Sequence, residues 1–257
     1  MLLAIDVGNT ETKFGILDED GGVLQMWRVR TLIDRTPDEL GVFITQLFAV
    51  AKLELRTIDR IVIASVVPKL DFALLGACKR FFSLTPTMLA PEKQRLIQIE
   101  SERAAEVGAD LVAAAIGGAA RYGTPLIIAS YGTATVFTAI SRAGAFLGAA
   151  IAPGINVSID ALVGRTAKLP QIAFDPPQRA IGRNTVEALQ AGIMLGVVGA
   201  TRLLVERFSE ELGGRTRVIA TGGLAEVVAR SCPAIDIVDP HLSMLGLYLF
   251  ANAIRTA

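Results

Sequence analysis

The chain has 257 residues, of which 52% are hydrophobic, and its 25 basic side chains balance its 25 acidic ones. A balanced charge provides no overall field to attract nucleic acid or an anionic membrane, so neither is expected as a partner. Two cysteines without a CxxC spacing and a single histidine argue against a disulfide framework, a zinc site and a histidine-dependent triad. The N-terminus lacks the regions of a signal peptide, and no stretch is continuously apolar over the ~20 residues that cross a bilayer, so we expect a cytoplasmic protein.

The first half of the chain alternates between strand and helix patterns. Strands are predicted at 1–6, 12–17 and 23–30, joined by short turns into an antiparallel meander. An amphipathic helix follows Thr36, a typical N-cap residue that precedes a proline. The remaining predicted elements are a buried strand at 60–67, a helix at 71–82, a short strand at 85–90 and an alanine-rich helix at 104–123.

The second half repeats this order. Strands are predicted at 126–130, 134–140, 146–154 and 217–223, and helices at 155–164, 183–211, 224–231 and 241–255. Strands that alternate with covering helices are typical of the α/β class.

Two segments of the chain share one pattern of strand, glycine turn and strand. They are LLAIDVGNTETKFGI at 2–16 and LIIASYGTATVFTAI at 126–140, separated by about half the chain. The spacing predicts an internal duplication into half-domains 1–115 and 116–257 that face each other across a cleft. In the second copy Ser130 occupies the position of Asp6.

The first turn has the composition of a phosphate site. A carboxylate at the end of a strand can anchor Mg²⁺, and backbone N–H groups of small residues can bind phosphate oxygens. A plain hairpin also uses a Gly-Asn turn, so this motif alone leaves that alternative open. The residues predicted to bind a nucleotide here are Asp6, Gly8, Asn9, Thr10, Thr12 and Lys13.

A second group of glycines follows a later strand. In ATGG, Gly222 and Gly223 come after a buried strand and precede a helix, where an adenosine or its phosphates can approach the backbone. The chain contains neither the P-loop motif nor the GxGxxG dinucleotide motif, so neither of these motifs explains the glycines.

Phosphoryl transfer to an alcohol also needs a carboxylate that takes the hydroxyl proton. Asp110 is the leading candidate, although its position near a helix start also suits a capping residue. In IGRNTVEAL, Asn184 or Thr185 is predicted to cap the next helix, and Thr185 could instead reach the acceptor. His241 precedes the last helix, where a capping or surface role is favoured.

Together these motifs closely resemble those of the type III pantothenate kinases, members of the acetate and sugar kinase/Hsp70/actin superfamily. The segments that carry the resemblance are IDVGNT at 5–10, ASVVP at 64–68, EVGAD at 106–110, YGTAT at 131–135, GAAIAPGI at 148–155, TAKLP at 166–170, IGRNTVEALQAGI at 181–193, ATGGLA at 220–225 and VDPHL at 238–242.

The resemblance implies two ribonuclease H-like half-domains of the actin-like ATPase fold, a homodimer, and ATP- and Mg²⁺-dependent phosphorylation of pantothenate, the first step of coenzyme A biosynthesis. It implies that residues 6–13 bind the ATP phosphates, that Thr133 makes a second ATP contact, and that Asp110 accepts the proton. Gly108, Ala109 and Leu111 would contact pantothenate, and Thr185 would bind it from the other subunit or half-domain.

The chain departs from the family pattern at several charged positions. Ser130 replaces the aspartate that binds an activating monovalent cation, K⁺ or NH₄⁺, and Leu111 replaces an arginine. Ser101 to Ala104 replace a Tyr-Asp-Asn-Pro stretch, and Thr138 replaces a further acid.

These departures leave three interpretations. The first is a pantothenate kinase with weak or altered cation dependence. The second is a family member without catalysis that acts as a nucleotide-binding regulatory or scaffolding protein. The third is a kinase for another small hydroxy acid, because Leu111 makes the acceptor pocket more apolar.

Overall fold

A computed structural model describes residues 1–166 and 169–255 of the chain. The chain divides into two compact units, one formed by Met1–Ala120 with the segment that begins at Leu242, the other by Arg121–His241. The predicted boundary between half-domains at 115 and 116 concerns the duplication rather than these units, and it stays a prediction. Residues 167 and 168 of the TAKLP motif lie outside the described residues.

Each unit contains one five-stranded mixed sheet. The strands are β1 (Leu2–Val7), β2 (Glu11–Leu17), β3 (Val23–Arg30), β4 (Arg60–Ser65), β5 (Thr87–Met88), β6 (Leu126–Tyr131), β7 (Ala134–Ile140), β8 (Phe146–Pro153), β9 (Arg217–Thr221) and β10 (Ile237–Val238). The first sheet has the order β3-β2-β1-β4-β5 and the second the order β10-β9-β6-β7-β8.

The two sheets have the same topology. In the first, β1 is antiparallel to β2 and parallel to β4; in the second, β6 is antiparallel to β7 and parallel to β9. The repeated segments are therefore the two central hairpins, which confirms the predicted α/β class. The short edge strand β10 was missed, since two residues carry too little pattern.

Seven α-helices cover the sheets in the described part of the chain. They are α1 (Pro37–Val50), α2 (Pro68–Ala77), α3 (Ala109–Tyr122), α4 (Ile155–Gly164), α5 (Thr185–Glu211), α6 (Ala225–Ala229) and α7 (Leu242–Ala253). Thr36 caps α1 through a capping box with Glu39, as the sequence predicts for its N-terminus. Helix α3 begins later than predicted, because the preceding residues form a separate 3₁₀ turn at Ala104–Glu106.

Helix α5 is apolar enough over its 27 residues to cross a membrane by length and composition alone. This contrasts with the expectation that no such stretch exists, and it is weak evidence for a membrane segment because helices of soluble proteins pass the same test. Only 22% of its most apolar window is buried in the structure. The helix therefore presents much of its apolar surface outward.

Glycines set a close contact between α3 and α7. A Cβ at Gly117 would overlap the carbonyl oxygen of Leu242, and a Cβ at Gly246 would overlap that of Ala113. On the sheet side, a Cβ at Gly15 would lie 2.6 Å from Sδ of Met244. Helix α7 thus packs against α3 and β2 so closely that these three positions have no room for a side chain. The two cysteines, Cys78 and Cys232, are free and buried, as expected.

We predict that Gly246→Ala destabilises the protein by about 1–3 kcal/mol, because the new methyl group meets backbone atoms that cannot move aside. Gly164→Ala is the control, since the Cβ at that helical position meets no atom within 4 Å and should cost nothing or stabilise slightly. Urea denaturation measures both free energies of unfolding. Equal stabilities of the two variants would contradict the close α3–α7 contact.

Candidate functional site

The turn between β1 and β2 is closed by hydrogen bonds from its own backbone and from Thr31. The Gly8 N–H donates to the Glu11 carbonyl at 3.0 Å, and the Thr31 N–H donates to the Thr10 carbonyl at 2.8 Å. The Thr31 hydroxyl donates to the Gly8 carbonyl at 2.7 Å. The turn is therefore held by Thr31, the residue after β3, as well as from within the hairpin, while Asn9 and Thr10 are exposed.

Thr12 supports this turn from inside the protein. Its hydroxyl lies 2.9 Å from the Thr31 hydroxyl, whose proton is already given to the Gly8 carbonyl. Thr12 is therefore the donor in this pair. Its side chain is buried, so the structure shows it holding the shape of the turn, and a direct contact with phosphate stays a prediction.

Asp6 lies at the end of β1 with its carboxylate almost completely buried. Its Oδ2 atom accepts hydrogen bonds from Lys13 Nζ at 2.9 Å and from Ser243 Oγ at 2.8 Å. The antiparallel register pairs Asp6 with Lys13, so their side chains leave the same face of the sheet. This geometry suits Mg²⁺, which typically takes one or two carboxylates from the protein and other oxygens from phosphates and water.

Asp110 belongs to the same unit and interacts electrostatically with this pair. Burial and the negative charge of Asp6 raise the pKa of Asp110 to about 6, against the opposing effects of the Leu111 N–H and Lys13. The Leu111 N–H donates to Asp110 Oδ1 at 2.9 Å, and a Cβ at Gly108 would approach that oxygen to 2.5 Å. Asp110 is the second residue of α3 and bonds to the next N–H, so it is not the N-cap that the sequence left open. Its carboxylate has the raised pKa of a candidate base.

In the other unit, glycines bring three loops together around the second turn. The Gly154 N–H, before α4, donates to the Thr133 carbonyl at 3.1 Å. Gly222, after β9, has a φ of +97°, and a Cβ there would lie 2.5 Å from the Tyr131 carbonyl oxygen. The sequence predicts that ATP binds Thr133, Gly222 and Gly223. These residues lie on adjoining loops that follow the C-terminal ends of the parallel strands β6 and β9.

The second turn lacks the charges of the first. Ser130 is half-buried. It lies opposite Val136 of the antiparallel strand β7 and opposite Thr221 of the parallel strand β9. The corresponding neighbours of Asp6 are Lys13 and Ala64. Among residues 1–166 and 169–255, no group of three or more histidine, cysteine or acidic side chains could hold a metal ion.

The other predicted positions lie in ordinary local structures. Asn184, rather than Thr185, caps α5, because its Oδ1 accepts from the Glu187 N–H at 2.9 Å. Thr185 is the exposed first residue of that helix. In the segment that replaces Tyr-Asp-Asn-Pro, Arg103 pairs with Glu106 at the surface. Thr138, the other departure from the family pattern, is buried in β7.

A buried carboxylate near the C-terminus of the second unit was not predicted from the sequence. Asp239 accepts from Arg121 Nη1 at 2.6 Å, from the Tyr122 hydroxyl at 2.8 Å and from the His241 N–H at 2.8 Å. Burial opposes the charge, but these donors hold the pKa of Asp239 below its ordinary value. The network fastens the end of α3, and His241 takes part through its backbone.

Sequence reasoning also missed Thr31 and Ser243. The pairing of Glu11 with Arg30 places Thr31 beside the turn, so an alignment of the β2–β3 hairpin could have found it. No local signal points to Ser243, which lies 237 residues from Asp6 in the chain.

Comparisons with known proteins agree with this geometry. The model of the type III pantothenate kinase family matches residues 2–207. The chain belongs to the type III pantothenate kinase family. A type III pantothenate kinase from Bacillus cytotoxicus is 42% identical over 249 residues, which are 97% of this chain and 95% of that protein.

Solved structures support the fold. An activator of 2-hydroxyisocaproyl-CoA dehydratase from Clostridium difficile, with bound ADPNP, gives a TM-score of 0.60 at 13% identity and covers 100% of this chain and 97% of its own. The ethanolamine utilization protein EutJ from Carboxydothermus hydrogenoformans gives 0.56 at 15% identity, with coverages of 96% and 89%. This kinase-family chain thus shares the fold of these proteins.

Proposed function

We propose that the protein transfers the γ-phosphoryl group of ATP to pantothenate and forms 4′-phosphopantothenate, the first step of coenzyme A biosynthesis. The observation that carries the proposal is the arrangement in one unit of Asp6, Lys13 and Asp110, with the pKa of Asp110 raised to about 6. The family supplies the substrate class, since the relative that is 42% identical is a type III pantothenate kinase.

The nucleotide is assigned to the two glycine turns. In the first, Gly8, Asn9, Thr10 and Lys13 bind phosphate oxygens, and Thr12 keeps the turn in shape. Asp6 holds Mg²⁺, which when bound neutralises the charge that develops on the phosphates. Thr133, Gly222 and Gly223 are assigned as further contacts of the nucleotide. The bound ADPNP of the Clostridium difficile structure supports a nucleotide in a fold of this kind.

Asp110 is assigned as the proton acceptor for the pantothenate hydroxyl. A carboxylate with a pKa of about 6 is ionised at neutral pH and is a stronger base than an ordinary aspartate. Gly108, Ala109 and Leu111 surround it and are assigned to pantothenate, with Thr185 contributing from the other subunit or half-domain. Leu111 makes the contact apolar where the family has an arginine.

The monovalent cation site is assigned to the position of Ser130, in a weakened form. A serine hydroxyl carries no charge, so K⁺ or NH₄⁺ loses its main electrostatic attraction there. We therefore infer turnover with little or no dependence on either ion.

A homodimer through α5 fits the exposed surface of that helix. Ala191, Met194 and Val198 are buried, whereas Leu195 and Leu203 are 46% and 54% exposed. The exposed side also carries glycines with open space at the position of a Cβ, namely Gly192, Gly196 and Gly199. We propose that a second copy covers this apolar face in a cytoplasmic homodimer, with no membrane or nucleic-acid partner.

Our first prediction for this function concerns Asp110. With ATP, Mg²⁺ and pantothenate in a coupled assay, kcat/KM, which reports the pKa values of the free enzyme, should rise with pH to a plateau and be half-maximal near pH 6, because Asp110 must be ionised. Asp110→Asn should lower kcat at least ~100-fold and leave ATP affinity by calorimetry nearly unchanged. Asp20→Asn, in an exposed turn, is the control. A kcat of the Asp110 variant within about tenfold of the wild type would refute the assignment, and ATP binding without any wild-type turnover would favour a regulatory protein.

The second prediction concerns the cation. Ser130→Asp should raise turnover and make it depend on K⁺ or NH₄⁺, because it restores a charge beside the second turn. Ser130→Asn, of nearly equal size but neutral, is the matched control and should show no such dependence. Assays in sodium, potassium and ammonium salts measure the effect. An unchanged turnover for the aspartate variant would locate the departure elsewhere, first at Leu111.

The third prediction concerns assembly. Leu195→Glu should convert the dimer to monomer, because it places a charge on the apolar face of α5. Val50→Glu, at a residue of α1 that is 83% exposed, is the control and should leave the dimer intact. Sedimentation velocity measures both. A Leu195→Glu variant that remains a dimer while the Val50→Glu control becomes a monomer would count against this interface. A monomeric wild type would count against it as well.

A further inference from the structure

We propose that Ser243 is a positioning residue for the magnesium-binding carboxylate of Asp6, an inference that rests on the proposed kinase function. Neither the sequence motifs nor the family match assigns a role to this residue, since the family model ends at residue 207. The structure places its hydroxyl oxygen 2.8 Å from Asp6 Oδ2.

The contact is buried and its direction is defined. Ser243 and Asp6 are 7% and 5% exposed. An ionised carboxylate can only accept hydrogen bonds, so the serine hydroxyl is the donor. Serine within a helix commonly bonds to a carbonyl of the preceding turn. Ser243, the second residue of α7, instead donates across to β1.

Both donors act on one oxygen of Asp6. Lys13 Nζ, from β2, and Ser243 Oγ, from α7, each donate to Oδ2. The torsion that orients a carboxylate is soft, so a single partner would leave it free to turn. Two donors from different elements therefore fix the plane of the carboxylate, so that it would be held in one orientation towards a bound Mg²⁺.

The element that carries Ser243 is itself held firmly. The glycine contacts of α7 with Ala113 of α3 and with β2 allow little displacement of its first turn. Lys13 already compensates the charge of Asp6 through their ion pair. The contribution of Ser243 is therefore orientation rather than neutralisation, and it should appear in metal binding more than in chemistry.

The experiment compares Ser243→Ala, which removes the donor, with Ser243→Thr, which keeps it. Ser141→Ala is the matched control, because this serine caps a hairpin turn in the other unit through the Ala145 N–H. The first readout is Mn²⁺ binding to the protein–ADP complex by electron paramagnetic resonance, which needs no turnover. The second separates kcat from the half-saturating Mg²⁺ concentration, and thermal melting reports folding.

We expect Ser243→Ala to weaken Mn²⁺ binding and raise the half-saturating Mg²⁺ concentration about tenfold, or about 1.4 kcal/mol. The kcat at saturating Mg²⁺ should stay close to that of the wild type, and Ser243→Thr and Ser141→Ala should bind Mn²⁺ normally. Unchanged Mn²⁺ affinity in Ser243→Ala, equal weakening in Ser243→Thr, or no Mn²⁺ binding by the wild-type complex would each overturn the inference. Weakened Mn²⁺ binding in a protein that does not phosphorylate pantothenate would refute the proposed function and leave this inference standing.

Discussion

The buried charge of Asp6 is the constraint on which the first unit depends. Burying a carboxylate at the end of a central strand costs several kcal/mol unless ionic and hydrogen-bond partners compensate it. Lys13 supplies one partner from the neighbouring strand and Ser243 supplies the other from α7. The chain must therefore return its last helix to its first strand, and the small residues between α3 and α7 make that return possible.

The charge of Asp6 also affects the pKa of Asp110, the candidate base. Asp6 is one of the causes of the raised pKa of Asp110, and Lys13 opposes it. The groups assigned to metal, phosphate and proton are thus coupled electrostatically within one unit. A change at any one of them alters the charge that the other two experience, so their substitution effects should not be additive.

The second unit keeps the topology of the first without its charges. Its central strand carries Ser130 where β1 carries Asp6, and its neighbour across the hairpin is Val136 rather than a lysine. The polar contact of the next residue along this strand is neutral: the Tyr131 hydroxyl lies 2.9 Å from the Thr201 hydroxyl of α5. Glycine contacts at Gly154 and Gly222 still gather the loops. The two units therefore share their strand topology and differ in the charges at the end of the central strand.

Much of this protein could be predicted from its sequence. Strand and helix patterns identified nearly all the elements, because alternation, N-caps and glycine turns are local signals. The repeat predicted the shared topology, and the motifs predicted the family. Element ends were less accurate, as at the start of α3, and the short strand β10 has no pattern long enough to detect.

The sequence by itself determined the α/β class, the duplication and the two glycine turns. It also predicted Asp6 and Ser130, which distinguish these turns, and Asp110. Only the tertiary structure decided the partners of these residues. The donation from Ser243 to Asp6, the support of the turn by Thr31 and the network around Asp239 join distant parts of the chain or depend on strand register. Such contacts follow from how helices and strands pack, and packing brings together residues that no spacing in the sequence relates.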